Sequence, residues 1–300
     1  MTKPLDILIT GGAGQIGQEL QTLAWPEPVR LHAPSRAALD LSSVASVEAT
    51  FGRMSFAAVI NAGAYTAVDA AEDDVAAAFA INALGPAALA ETTRRAGVPL
   101  VQVSTDYVFD GAKPGLYVED DPVAPLGVYG ASKLAGELAA RSGNPRSVVL
   151  RTAWVVSRRR SNFLRTMLRL AAERSPIRVV NDQQGCPTSA RDVAKALQTI
   201  TLRMIAEPDA PTGVYHFVNA GVATWADLAR EILAQSALNG GPVADVLSIS
   251  SSQFPTRARR PLNSSLATGK LTRDYGLSPR GWPEAVAEIV SELQAEGVGE

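Results

Sequence analysis

Short apolar runs, each followed by an amphipathic stretch, organise the first half of the chain. Residues 5–10 form such a run and end in Gly11-Gly12-Ala13-Gly14-Gln15-Ile16-Gly17, after which Leu20 and Leu23 continue a helical spacing. Residues 29–33, 57–61, 100–104, 147–151 and 214–218 repeat the apolar run. Strands that are apolar throughout, rather than alternating, are buried on both faces, and strands alternating with helices build a parallel sheet. Beyond Arg151 the alternation weakens: residues 161–174, 223–237 and 282–295 carry helical periodicity, separated by connections such as Asn239-Gly-Gly-Pro242. The pattern predicts an α/β fold, a Rossmann-like doubly wound parallel sheet with a smaller, interleaved C-terminal lobe. The tail from residue 297 is expected to fray.

Composition agrees with a sizeable core, since 46% of the 300 residues are hydrophobic and only 19% charged. The net charge of −2 gives no reason to expect nucleic-acid or membrane binding. Charge is unevenly spread: residues 1–150 hold 10 Lys and Arg against 16 Asp and Glu, residues 151–300 hold 18 against 14. The basic excess includes Arg158-Arg159-Arg160 and Arg257-Ala258-Arg259-Arg260, read either as solvated surface or as a hold on an anionic substrate. Cys186 is the single cysteine, which fits a reducing compartment. No secretory pattern opens the sequence, and no run is expected to approach the ~20 apolar residues that span a bilayer. The expectation is a cytoplasmic protein.

Gly11, Gly14 and Gly17 sit between a strand and a helix, where glycine allows a tight turn and close approach of backbone to a diphosphate. Where an acidic residue would bond the ribose diol of NAD, this chain has Ser35-Arg36, a hydroxyl and a guanidinium that suit a 2′-phosphate. NADPH is therefore the expected cofactor, with NADH possible. Asp40 and Leu41 are placed on the adenine side, and the small residues of Asn61-Ala62-Gly63-Ala64-Tyr65-Thr66 leave room at a strand end.

Tyr129 and Lys133 stand four apart on a helical stretch and share a face. A nearby ammonium favours phenolate, so Lys133 is expected to lower the Tyr129 pKa and make it a usable acid or base. Ser104 and Thr105, in the block Ser104-Thr-Asp-Tyr-Val-Phe-Asp-Gly111, bring hydroxyls to the end of a buried strand. Together they read as a proton-transfer site for a carbonyl or alcohol.

The glycine loop, Asn61-Ala-Gly-Ala-Tyr-Thr-Ala-Val-Asp69, the Ser104–Gly111 block and Tyr129-x-x-x-Lys133 resemble the extended short-chain dehydrogenase/reductase superfamily. With Arg151-Thr-Ala-Trp154, Asp182-Gln-Gln-Gly-Cys-Pro-Thr188 and Arg259-Arg-Pro-Leu-Asn-Ser264, the chain is most similar to the dTDP-4-dehydrorhamnose reductase family. That resemblance implies NAD(P)H-dependent reduction of the C4 ketone of a dTDP-linked 6-deoxy sugar. It implies Tyr129 as proton donor, Lys133 on the nicotinamide ribose, Thr105 on the carbonyl or the tyrosine hydroxyl, and Asp106 on the sugar. Gly11, Gly14, Gln15, Ile16, Gly17, Ser35, Arg36, Asp40, Leu41, Ala62, Ala64, Tyr65, Thr66, Ser104, Tyr129 and Lys133 are the implied cofactor residues. Val68, Thr105, Asp106, Tyr129, Trp154 and Arg260 are the implied substrate residues. Residues 1–155 plus 178–222 are expected to form the NAD(P)-binding domain, and 156–177 plus 223–300 the substrate lobe.

Another nucleotide-sugar reductase, an epimerase and a non-catalytic regulatory subunit stay open as alternatives. Two departures from the family are visible. Some members dimerise through a magnesium site built from acidic residues, but Arg191 stands where one of these is expected and leaves Glu19 without that partner. No metal is expected, and the chain is expected to be a monomer or a homodimer not bridged by metal. Ser265 replaces a family arginine, a possible anion contact that Arg260 could supply.

Overall fold

The structure, a computed structural model, describes residues 4–297. Six parallel strands make the central sheet: β1 (Leu5–Thr10), β2 (Val29–His32), β3 (Ala58–Asn61), β4 (Leu100–Thr105), β5 (Ser147–Thr152) and β6 (Gly213–His216). Their spatial order is β6-β5-β4-β3-β1-β2. The chain runs outward from β1 to β2 and then returns to build in the other direction from β3. The crevice between β1 and β3 is thus the switch point at which open α/β sheets bind ligands, beyond the carboxyl ends of the strands.

The strands divide their side chains between two helical layers. Ile7 and Ile9 of β1 face a core with Leu20 of α1 (Gln15–Thr22), Val193, Leu197 and Ile200 of α6 (Ala190–Ala206), and Leu271 of α8 (Gly269–Tyr275). Leu8 faces the other way, toward Val47 of α2 (Val44–Arg53), Leu89 of α3 (Val75–Ala96) and Ala140 of α4 (Val128–Gly143). This two-sided burial is what the continuous apolar runs predict. Buried polar side chains gather toward the strand ends, with Gln102 inside β4 as an exception. Asn61 accepts from the Thr10 hydroxyl and donates to Gln102 Oε1 at 2.6 Å, tying β1, β3 and β4 together at the crevice.

α3 corrects one expectation, because at 22 residues it is long and apolar enough to cross a membrane. Here it is a core helix packed beneath the sheet, with Leu89 and Ala90 against Leu100 and Val149. It widens to a π turn at Ala80–Leu84, just before Pro86, which cannot donate a backbone hydrogen bond. The turn carries the buried Asn82, whose amide bonds both the N–H and the carbonyl of Tyr65.

The lobe has its own core. Leu164 and Met167 of α5 (Phe163–Glu173) pack with Leu228 and Ile232 of α7 (Trp225–Leu238) and with Val286 and Val290 of α9 (Trp282–Gly297). A two-stranded parallel ribbon, Ile177–Val180 with Val246–Ile249, adds Ile177 and Val179 to that core. The ribbon therefore packs with the lobe, although the expected division returns to the larger domain at 178. The fraying expected of the tail concerns residues outside those described, apart from Gly297, which closes α9.

Candidate active site

The strand ends and the lobe enclose a cleft of about 1050 Å³. Its floor on one side is the glycine loop. Gly11 has φ +69°, and a Cβ there would stand 2.5 Å from the Gly63 nitrogen, so two backbones meet where no side chain fits. A Cβ on Gly17 would lie 2.2 Å from the Gly11 carbonyl oxygen, which makes that glycine a packing requirement behind the loop. α1 begins at Gln15 with no side-chain cap, leaving its first N–H groups for an anion. Gly11, Gly14, Gln15, Ile16, Arg36, Ala62, Ala64, Thr66 and Val68 all line the cleft. The loop and the guanidinium fit a dinucleotide with a 2′-phosphate.

Five of the expected cofactor residues are not on the cleft wall. Gly17 is the packing glycine just described. Ser35 is exposed beside Arg36. Leu41 is buried beneath Gly63. Asp40 accepts from the N–H and the hydroxyl of Ser42, and these bonds hold its carboxyl below the usual carboxylate range. Tyr65 contributes its backbone to Asn82.

At the far side the cleft meets Ser104, Thr105, Asp106, Tyr129 and Lys133. β4 ends in the two hydroxyls, and α4 presents Tyr129 and, one turn on, Lys133. Lys133 is buried and donates to the Val103 carbonyl at 2.7 Å. Burial brings its pKa down to about 8, with the Glu137 carboxylate opposing the fall. Tyr129 behaves differently from the expectation. Burial pushes its phenol up to about 12, with the Asp106 carboxylate adding to the rise and hydrogen bonding with Thr105 opposing it. The reason is local: the ammonium is engaged by Val103 and faces Glu137, so desolvation of the phenolate wins.

Thr105 donates to Asp106 Oδ1 at 2.9 Å, and Asp106 Oδ2 has no hydrogen-bond partner. Burial raises this carboxyl to about 6; the nearby Ser264 hydroxyl and Thr105 oppose the rise, though Ser264 makes no well-formed bond to Oδ2. Tyr107 meets the Tyr129 ring edge-on, at 5.7 Å between centroids. Arg260 stands over Tyr107 at 5.8 Å but off the cleft wall, with Nη2 paired to Asp69 at 2.7 Å and Nη1 buried without a partner.

The lobe wall is aromatic. Trp154 lines the cleft beside Trp225 and Phe163, which the sequence reading does not single out. The arginine cluster divides: Arg159 pairs with Glu19 at 3.0 Å and Arg158 with Glu292 at 3.3 Å, while Arg160 borders the cleft. Glu19 is thus occupied within the chain, with Arg191 also 3.9 Å away. Gln15 accepts from Ser157 and Asn162, fastening this loop to the start of α1. Glu137, buried behind Lys133, also escapes the sequence reading, and its partner Arg151 enters it only as the first residue of the Arg151–Trp154 block, with no role. Their signal was present in the step of four from Lys133 and in an arginine closing an apolar strand.

A glycine loop at the switch point, with a tyrosine–lysine pair facing hydroxyls at a strand end, defines a dinucleotide-dependent oxidoreductase of the extended short-chain dehydrogenase/reductase kind. Residues 5–295 match the family described as RmlD substrate binding domain. A dTDP-4-dehydrorhamnose reductase from Sinorhizobium fredii is 41% identical over 292 residues, covering 97% of this chain and 98% of its own. The crystal structure of a dTDP-4-dehydrorhamnose reductase from Clostridium acetobutylicum superimposes with a TM-score of 0.89 at 35% identity, covering 97% of this chain and 100% of that one. The Bacillus anthracis dTDP-4-dehydrorhamnose reductase, solved in complex with NADP, gives 0.89 at 32% identity with the same coverage. The chain belongs to the dTDP-4-dehydrorhamnose reductase family.

Proposed function

We propose that this protein reduces the C4 ketone of dTDP-4-dehydro-6-deoxy-L-mannose to give dTDP-L-rhamnose, using NADPH in preference to NADH, in the cytoplasm. The observation that carries this is one cleft holding the glycine loop and Arg36 at one end and Thr105, Tyr129 and Lys133 at the other. Bound NADPH supplies the hydride. Gly11, Gly14, Gln15 and Ile16 hold its diphosphate against the start of α1, and Arg36 takes the 2′-phosphate. Tyr129 gives its proton to the oxygen on which charge develops. A phenol held near 12 is fully protonated at neutral pH, as a donor must be. Thr105, once its hydroxyl turns from Asp106 Oδ1, donates to the same oxygen and shares charge with Tyr129. Lys133 holds the nicotinamide ribose.

Asp106 Oδ2, buried and unpartnered, is suited to a sugar hydroxyl. Trp154 and Val68 flank the sugar, and Arg260, held behind Tyr107 by Asp69, reaches the substrate diphosphate with Nη1 once its side chain turns toward the cleft. The six-stranded unit serves the cofactor and the lobe around α5, α7 and α9 serves the substrate. We expect a monomer, or a homodimer held without metal.

The test is turnover of the dTDP-linked 4-keto sugar with NADPH, set against its GDP- and UDP-linked analogues. One NADPH consumed per product supports the reading. Isomerised product without net NADPH consumption would mark an epimerase, and no turnover with intact partner-enzyme binding would mark a regulatory subunit.

A further inference from the structure

We infer that the buried Glu137–Arg151 ion pair is a positioning unit of the reaction site, through which Glu137 fixes Ser104 and keeps the Lys133 side chain cationic. The inference rests on the reductase reading given above. Tyr129, Lys133 and Glu137 follow one another at steps of four along α4 and therefore share a face. Glu137 is 2% exposed and its carboxylate is saturated by three donors from two strands. Ser104 Oγ donates to Oε1 at 2.5 Å, Arg151 Nε to Oε1 at 2.9 Å, and Arg151 Nη2 to Oε2 at 2.7 Å. Ser104 directly precedes Thr105, so Glu137 grips both elements that carry the reacting side chains.

Behind the pair the charges are arranged one way. Arg151 Nη1 lies 3.4 Å from His216 Nε2, and its guanidinium sits 5.0 Å from the centre of the Phe109 ring. His216 is fully buried, and burial together with Arg151 drives its pKa down to about 3, so it is neutral and cannot balance anything. Arg151 is thus paired directly with Glu137, and the buried Lys133 ammonium, one helical turn away, lies in the field of the same carboxylate. The titratable groups around this unit are Tyr129, Lys133 and Glu137 on α4, and Asp106 and Tyr107 in the turn just beyond β4, beside Tyr129. Arg151 on β5, His216 on β6 and Glu119 of the loop before α4, whose carboxylate accepts from the His216 N–H, complete the set. Of these, Glu137 is the one that holds the ammonium in its charged form against burial. A buried pair with only a packing role would leave that charge state unchanged when replaced by neutral residues.

The experiment compares the full-length protein with the E137Q, E137D and E137Q/R151M variants. The dissociation constant of NADPH is followed by nicotinamide fluorescence from pH 6 to 9.5, and kcat/KM over the same range. In the wild type, NADPH binding should weaken as pH rises past about 8. E137Q should move that weakening down by about one pH unit, giving roughly tenfold weaker binding than wild type between the two limbs. E137D, which keeps the charge, should leave the limb where it is. E137Q/R151M removes both charges and so relieves the uncompensated Arg151 that could unfold E137Q, yet it should keep the downward move. A folded double variant with the wild-type limb overturns the inference, as does a native protein without a limb near pH 8. The binding arm needs no sugar substrate, so absence of turnover would count against the proposed reaction and not against this role.

Discussion

Trp154 lies flat on Trp225, with 3.5 Å between ring centroids and 5° between their planes. Trp154 reaches this position with φ at +44°, a left-handed backbone that costs a bulky residue on the order of 1–3 kcal/mol. Strain of that kind persists only where the surroundings dictate it. Trp225 is held from behind by Phe163, at 4.7 Å, and by a bond from its indole N–H to Gln183 Oε1 at 3.2 Å. Trp225 is thus the support that keeps Trp154 on the cleft wall. Trp225→Ala should cost about 2 kcal/mol in stability, less than a fully buried tryptophan would. It should raise KM for the nucleotide sugar severalfold and leave NADPH affinity within twofold, as read from steady-state kinetics and cofactor titration. An unchanged KM would detach the Trp pair from substrate binding.

Tyr129→Phe removes one hydroxyl from the cleft and nothing that a dinucleotide needs. NADPH titration should match the wild type, while kcat falls by on the order of 10²–10⁴. Because burial holds the phenol near 12, the wild-type rate should show no limb from loss of the tyrosine proton below about pH 11. A plateau that breaks near pH 6 to 7 with tyrosine as the titrating group, absent in Tyr129→Phe, would contradict this.

The layered sheet was legible in the sequence because buried parallel strands advertise themselves as apolar runs, and β1 to β6 fall within a residue or two of those runs. The glycine loop and the Tyr129–Lys133 step were legible because each is a local spacing. The ribbon Ile177–Val180 was not, since its partner lies some seventy residues on and its four residues alternate only weakly. Trp225 looked like any first residue of an amphipathic helix until Trp154 was set against it. The divergence at Tyr129 has the same origin: proximity of a lysine predicts a lowered pKa, but the burial that outweighs it depends on the whole cleft wall. The arginines at 158–160 share one composition and three different fates, decided by Glu292, Glu19 and the open cleft.

Arg36 is exposed on the cleft wall beside Ser35, and no carboxylate stands in the position that NAD would use. Arg36→Ala should therefore weaken NADPH about tenfold, the value of one lost charge-assisted contact, and leave NADH nearly unchanged. The comparison is a pair of dissociation constants in the same buffer, repeated at higher salt, where the NADPH advantage should shrink. Equal losses for both cofactors would sink the 2′-phosphate assignment.

Asp106 ties stability to pH in a direction opposite to most carboxylates. Its carboxyl titrates at about 6 in the folded protein against an ordinary value of 3.8, because it is buried with one oxygen unpartnered. Between these values the folded state binds more protons than the unfolded state, so stability falls as pH rises from about 4 to 6 and the cost is complete above that. The gap corresponds to about 3 kcal/mol at neutral pH. Asp106→Asn removes the titration, so chemical denaturation at pH 7 should show the variant more stable than wild type by up to that amount, with the advantage gone at pH 4. The same variant should bind the sugar nucleotide more weakly, since the amide cannot offer a charged acceptor to a sugar hydroxyl. A variant less stable than wild type at pH 7, or a difference that does not change between pH 4 and 7, would show that Asp106 carries no buried charge penalty.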